Sequence, residues 1–299
     1  MRTLGFDTSN YTTSAAIYDR EAGVMENCGR LLPVPHGSLG LRQSDAVFAH
    51  VGALPGILET LDIEGVSAIG VSTRPRSVPG SYMPCFTVGS AAAHMLAHAL
   101  GIPCHEFSHQ EGHLAAVLVA SGCESLFNKD FLAWHLSGGT TELLYVKKGL
   151  EVLKIGGTSD ISAGQLIDRT GVLLGIAFPA GRELDNMACG DEFFKIKQNG
   201  LLFSLSGMEN KVQNMALSDS PQNIAGFVLN SLGGIIARVT ASALDEYGDL
   251  AVVLSGGVAG SSVIRRALAE FKPILAPAGY SSDNALGVAA LAYMKERKA

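Results

Sequence analysis

The 299 residues are 47% hydrophobic and only 17% charged, which excludes a disordered chain and leaves enough apolar surface for two domains or one large two-lobed unit. A net charge of −6 excludes a protein that grips nucleic acid through a broad basic face, because such affinity comes from neutralising phosphates; an RNA substrate would need a local patch or a partner subunit. Five cysteines, Cys28, Cys85, Cys104, Cys123 and Cys189, form an odd, scattered set without C-x-x-C, which argues against a disulfide framework or thiolate zinc site and for reduced thiols in the cytoplasm.

The N-terminal MRTLGFDTSN has an acid at position 7 and no apolar run of the signal-peptide kind. The longer apolar stretches are broken by Gly, His or polar residues, so no membrane span is predicted. Residues 2–7 read as a strand, T-S-N-Y as a turn and 12–19 as the returning strand. Helices are predicted over 43–61, 86–100 and 108–120, with a strand over 66–72; the proline-rich 73–84 reads as a loop inside this half. The strand–turn–strand unit recurs at 131–136, 137–140 and 141–146. An apolar-periodic helix follows at 160–174, then the F-P-A-G turn at 178–181, then helical structure from about 184, with 222–247 a long buried helix. A third strand end, A-V-V-L-S-G-G at 251–257, runs into a helix, and the last helix begins near Asp283 and Asn284. The recurrence predicts a duplicated α/β lobe.

Neither G-x-x-x-x-G-K-[ST] nor G-x-G-x-x-G occurs, so P-loop and Rossmann readings find no support. Ser137, Gly138, Gly139 and Thr140 suit a turn whose N–H groups form a nest for a phosphate; an ordinary Gly-Gly hairpin has the same composition. Thr8–Ser9 and Ser255-Gly256-Gly257 repeat the pattern at two other strand ends, which favours a ligand. His109 and His113 stand at i and i+4, a spacing that can chelate one cation, although single histidines are usually surface or satisfied core residues. Glu111 projects from another side of that helix, salt-bridged or solvated, and the protease pattern H-E-x-x-H is not met. Asp283 is the best third ligand, with a helix N-cap as its other role. His94 and His98 form a second such pair, with His105 nearby. Asp168 could bond a ribose hydroxyl, or pair with Arg169 or a helix end.

Seven stretches occur in order: G-F-D-T-S near the N-terminus, H-Q-E-G-H at 109–113, L-S-G-G-T-T-E at 136–142, G-Q-L-I-D-R-T-G-V-L-L-G-I-A-F-P-A-G at 164–181, F-S-L-S-G at 203–207, L-S-G-G-V at 254–258 and S-D-N-A-L-G at 282–287. Through them the sequence resembles, along nearly its whole length, the tRNA N6-adenosine threonylcarbamoyltransferase family (TsaD), formerly labelled O-sialoglycoprotein endopeptidase or glycoprotease. The resemblance implies an actin/hexokinase/Hsp70-like (ASKHA) ATPase fold with a nucleotide in the cleft. Its lobes would be 1–128 and 129–282, with the C-terminal helix at about 283–299 packing back near the first.

It further implies that His109, His113 and Asp283 bind one iron or zinc ion. Thr8, Ser9, Ser137, Gly138, Gly139, Thr140, Asp168, Gly181, Gly256 and Gly257 would bind ATP or threonylcarbamoyl-adenylate, with Asp168 and Gly181 at the ribose and base. Family members transfer the threonylcarbamoyl group to N6 of an adenosine beside the tRNA anticodon. The implied partners are tRNA reached through a partner subunit, a family-related protein or a second copy.

Several positions depart from the family pattern. The acidic turn T-S-C-D-E-T is replaced so that Tyr11 and Thr12 stand where Asp and Glu are usual. S-G-G-H-T becomes Ser137-Gly138-Gly139-Thr140-Thr141, and G-G-V-S-A-N ends in Ser261. The Lys of F-S-G-L-K-T becomes Glu209, and Arg74-Pro75-Arg76 replaces a G-P-G loop. These departures leave three readings: a transferase with an altered acceptor, a non-catalytic paralogue acting as partner or scaffold, and, ranked last, a metalloprotease.

Overall fold

Strand β1 (Arg2–Asp7) pairs antiparallel with β2 (Thr12–Asp19), Thr3 opposite Tyr18 and Asp7 opposite Ser14. This hairpin lies in a computed structural model that describes residues 1–9, 11–33, 41–277 and 284–297. By contacts the chain divides into Met1–Glu124 with Ser282–Ala299, and Ser125–Ser281; the sequence placed the first break at 128.

In the first unit β2 continues into β3 (Val24–Leu31), followed by α1 (Gln43–Leu58), β4 (Val66–Arg74), α2 (Phe86–Leu100), β5 (Cys104–Ser108) and α3 (His109–Ala120). β4 runs parallel to β1, and β5 parallel to β4, giving the order β3-β2-β1-β4-β5. Alternation sends Leu4, Phe6, Ala15, Ile17, Ile69 and Val71 to one face, against Ala53, Leu54 and Ile57 of α1 and Ala93 and Ala97 of α2. Truncating one of these, such as Ile69 to Ala, would cost about 3 kcal/mol.

The other face carries the C-terminal helix, Ala285–Glu296, and it approaches the sheet backbone directly. A Cβ on Gly5 would fall on the carbonyl of Ala285, one on Gly70 on that of Val288, and one on Gly287 on that of Gly112 in α3. Missing side chains thus bring the helix start to the end of β1. Thr3 Oγ1 donates to the Ala289 carbonyl at 2.9 Å, and Tyr18 meets Tyr293 edge-on at 5.4 Å.

The second unit holds β6 (Phe131–Leu136), β7 (Thr141–Lys147), β8 (Glu151–Thr158), α4 (Ala163–Leu173), α5 (Gly181–Met187), β9 (Gln198–Asn199), β10 (Leu202–Phe203), α6 (Ser206–Met215), α7 (Pro221–Tyr247), β11 (Val252–Ser255), α8 (Ser262–Ala267) and β12 (Ile274–Leu275). Its sheet order is β12-β11-β6-β7-β8-β10-β9. The part β8-β7-β6-β11-β12 repeats the first sheet: β6 is antiparallel to β7 and parallel to β11, as β1 is to β2 and β4. The duplication is thus topological.

α7 has the length and composition of a membrane span, yet 67% of its most apolar window is buried inside this unit. Ile224, Val228, Leu232, Ile236 and Val239 face the core, and Trp134 Nε1–H bonds Thr240 Oγ1 at 2.9 Å.

Six strands went unpredicted: β3, β5, β8, β9, β10 and β12. β3 and β8 are largely exposed or half-exposed and lack clean alternation, and β5 and β12 are short. The helical run expected from 184 ends at Met187, and residues 198–203 form the β9–β10 hairpin around Gly200, at φ 58°. The helix expected after 260 breaks into α8 and a 3-10 turn, Ala269–Phe271. No disulfide joins the five cysteines.

Candidate functional site

Asp7, 2% exposed at the end of β1, is the centre of a polar cluster in the first unit. Its Oδ2 accepts from Ser9 Oγ at 2.8 Å, Asn284 Nδ2 at 3.1 Å and His109 Nδ1 at 3.1 Å. The Asn284 amide nitrogen also lies 2.9 Å from His109 Nδ1, so both groups crowd onto one carboxylate. Burial works to raise the Asp7 pKa, but the His109 charge and the donors hold it below the ordinary carboxylate value. The carboxylate thus holds the imidazole through Nδ1, while the Asn284 amide nitrogen also lies 3.3 Å from Nε2.

His109 and His113 share one face of α3, their rings 4.5 Å apart and near perpendicular, and Phe86 meets His109 edge-on at 5.8 Å. The helix begins there because Ser108 caps it: Ser108 Oγ accepts from Glu111 N at 3.2 Å, and Glu111 Oε2 accepts from Ser108 N at 2.7 Å. Ser77 Oγ donates to the same Oε2 at 2.6 Å. Glu111, half-exposed, closes a capping box. It is thus committed to the cap and is not placed as the base of a zinc-protease mechanism. The S-x-x-E pattern at 108–111 carried this signal.

Asp283 lies outside the described residues, and among the described residues no group of three His, Cys, Asp or Glu side chains is arranged to hold a metal. His94 and His98 sit on the exposed side of α2; His94 pairs with Glu106 at 3.3 Å, and His105 with Glu296 at 2.7 Å. None of the three joins the Asp7 cluster. Thr8 is fully buried; its hydroxyl donates to Cys85 O at 2.9 Å and accepts from Gly89 N at 3.0 Å, clipping the turn to α2. Tyr11 O accepts from Leu32 N at 2.7 Å, and Thr12 N donates to Ser9 O at 3.1 Å, so both positions shape the turn backbone.

In the second unit Ser137 N donates to Thr140 O at 2.8 Å, and Thr140 N to Ser137 Oγ at 3.1 Å. Neither Gly138 nor Gly139 takes a positive φ, so the turn is not of type I′. It offers instead an exposed edge. Among the described residues, neither glycine N–H donates a hydrogen bond, and a Cβ at either would meet open space. Its underside is braced by α4: Ser162 Oγ donates to Gly138 O at 2.6 Å and Ala163 N to Thr141 Oγ1 at 2.7 Å. Gly164 lies where a Cβ would strike the Ser137 carbonyl and Gly138.

Gly256, at φ 90°, passes so close to the Leu136 carbonyl that no side chain fits, and Gly257 is exposed beside it. The Asp168 carboxylate accepts from Ala180 N at 3.0 Å, next to Gly181 at the start of α5; burial raises its pKa, opposed by that bond. Arg169 does not pair with it but binds Glu209 at 2.8 and 3.0 Å.

Two acids escaped the sequence reading. Asp160 accepts from Leu205 N at 2.8 Å, Ser206 N at 3.2 Å and Ser204 Oγ, and so holds the F-S-L-S-G stretch. Asp185 accepts from Ser261 Oγ and from Ser262 N at 2.9 Å, fixing the start of α8. Chemically, the first unit offers an oriented imidazole pair and the second an open N–H edge suited to an oxyanion.

The family model for TsaD, tRNA N6-adenosine threonylcarbamoyltransferase, matches residues 58–290. A protein of that name from Streptococcus pneumoniae (strain Hungary19A-6) is 30% identical over 321 residues, covering 98% of this chain and 91% of that protein. Its namesake from Streptococcus gordonii (strain Challis) is 31% identical over 319 residues, with the same shares. Among solved structures, component A of Acidaminococcus fermentans (R)-2-hydroxyglutaryl-CoA dehydratase aligns with a TM-score of 0.58 at 17% identity, covering 99% of both chains. HypF of T. kodakarensis aligns at 0.61 and 14%, covering 99% of this chain and 48% of that one. A ROK family glucokinase from Streptomyces griseus aligns at 0.55 and 14%, covering 98% and 100%. At such identities the likeness shows the fold alone, that of the actin, hexokinase and Hsp70 group.

Proposed function

The chain belongs to the tRNA N6-adenosine threonylcarbamoyltransferase family, and on that premise we propose that it binds an adenine nucleotide and one iron or zinc ion and acts as a threonylcarbamoyltransferase with an altered acceptor. The observation that carries the reading is the contact between Asp7 and His109 Nδ1. A metal-ligating histidine characteristically gives its other ring nitrogen to a carboxylate, and here that carboxylate is buried and already in place. The two imidazoles, their rings 4.5 Å apart on one face of α3, fit a cation as nitrogen ligands. Asp283 is the proposed third ligand.

When bound, the ion would supply a Lewis acid for an acyl carbonyl or phosphoryl oxygen. The protein's own contributions follow from its residues. Asp7 orients His109, and Asn284 and Ser9 hold Asp7. Gly138 and Gly139 present N–H groups to a phosphate, on which charge develops as the adenylate leaves. Asp168, Gly181, Gly256 and Gly257 would contact the nucleotide, as the family pattern implies. The Thr8 hydroxyl, with its donor and acceptor both engaged, supports the turn.

The altered acceptor is inferred from Tyr11 and Thr12, which leave the first turn without its acidic pair. The same observation favours a second reading, a paralogue that binds nucleotide but serves as partner or scaffold to a related chain. Incubating purified protein with threonylcarbamoyl-adenylate and a panel of amine acceptors, tRNA included, separates the two. Transfer to any acceptor supports the transferase. Nucleotide binding without transfer, with a stable hetero-complex, supports the scaffold. A protein that binds neither iron, zinc nor ATP sinks both.

A further inference from the structure

β4 ends at Arg74, at the carboxyl end of a parallel strand, where α/β sheets present their ligands. In the ladder Arg74 lies opposite Ser108, the residue before His109. The chain beyond it is tied to the start of α3. Gln110 N donates to Pro75 O at 3.1 Å, and Ser77 reaches Glu111 as described. Arg76 N bonds Ser81 Oγ at 3.0 Å across the loop. The half-buried Arg74 guanidinium is thus carried on a braced support.

Its own contacts are weak: Nη1 to Thr73 Oγ1 at 3.1 Å and Nη2 to Ser77 Oγ at 3.5 Å. Among the described residues no carboxylate pairs with it. In the same unit two buried polar groups lack partners among the described residues. Ser72, fully buried, follows Val71, which pairs with Phe6, so it occupies the strand position beside Asp7. Asn284 spends its amide nitrogen on Asp7, and its buried Oδ1 is unsatisfied. A half-buried guanidinium at a parallel strand end, with no directly paired carboxylate among the described residues and Glu111 reached only through Ser77, is the chemistry of a subsite whose ligand completes it.

We infer that Arg74, opposite Ser108 and so at the strand end next to His109, forms an oxyanion subsite that takes a carboxylate or phosphate group of the ligand. The planar fork of the guanidinium matches either group through two parallel N–H bonds. The anion has two sources: the carboxylate of the carbamoylated amino acid, or a phosphate of the adenylate or of a nucleic-acid acceptor. Only this choice of source rests on the function proposed above; the subsite itself rests on Arg74.

The test uses the full chain and its Arg74→Gln and Arg74→Lys variants, titrated by calorimetry with N-carbamoyl-L-threonine, with inorganic phosphate and, separately, with ATP. Loss of one charge-assisted bidentate contact predicts affinity for the bound oxyanion falling roughly 10–100-fold in Arg74→Gln, with Arg74→Lys between. A loss confined to N-carbamoyl-threonine assigns the acyl carboxylate, and one confined to phosphate assigns a phosphate-bearing group; either supports the subsite. Unchanged affinity in a variant with the wild-type melting temperature overturns it, as does failure of the wild type to bind either probe. Failure of the wild type to bind ATP would count against the proposed function and leave the Arg74 result with the other two probes readable.

Discussion

Both units place a hairpin beside two parallel strands in the same order, yet the turns of the two hairpins carry opposite chemistry. In the first, Thr8 and Ser9 are buried and spend their hydroxyls on Cys85, Gly89 and Asp7, and the polar interest passes to Asp7, His109 and Asn284. In the second, the polar groups turn outward: Gly138 and Gly139 are exposed, and their N–H groups are unused among the described residues. One topology therefore supplies a buried, fully engaged carboxylate in one place and an open row of donors in the other. The difference lies in what packs beneath each turn. The first is overlaid by the C-terminal helix and α3, and the second is braced from below by α4.

Substitutions that separate a satisfied cluster from an open edge test this contrast. The largest effect is expected for Asp7→Ala, which strands the His109, Ser9 and Asn284 donors. Stability should fall by about 3 kcal/mol, read from urea unfolding. Affinity for zinc should fall roughly 10–100-fold in a chelator competition. Its counterpart, Gly138→Ala, places a methyl in open space: stability should stay within about 0.5 kcal/mol, while ATP binding, read by calorimetry, weakens. Equal destabilisation by both would break the contrast.

Gly164→Ala should cost about 2 kcal/mol, because its methyl would strike the Ser137 carbonyl and lift α4 from the turn. Glu111→Ala should cost about 1 kcal/mol by opening the capping box, and Glu111→Gln less than half that, since glutamine also caps; the urea midpoint reads both. The smallest effect is a pH dependence. Burial works to raise the Asp160 pKa, but the donors from Ser204, Leu205 and Ser206 hold it well below its ordinary value. Its contribution is complete above the unfolded value and is lost as pH falls through the folded one. The wild-type advantage in urea midpoint over Asp160→Asn should therefore shrink on acidification below about pH 4.

Much of the local structure was legible in the chain itself. Alternating apolar residues around a short polar turn placed both hairpins, and α2 runs over 86–100 as its pattern predicts. The capping boxes at Ser108 and Ser162 were equally legible in S-x-x-E and S-x-x-Q. Strands β3 and β8 were not, because a strand with little burial has no strong alternation to read.

The sequence by itself determined the elements whose signals are local: caps, periodicities, glycines at strand ends, and the ordered motifs that carry the family. Only the tertiary structure decided partnership. Asp7 meets His109 across 102 residues and Asn284 across 277, and Arg169 chose Glu209 over its neighbour Asp168. The physical reason is that a side chain's role depends on what burial brings within about 3 Å of it, and that choice is made by packing between distant segments.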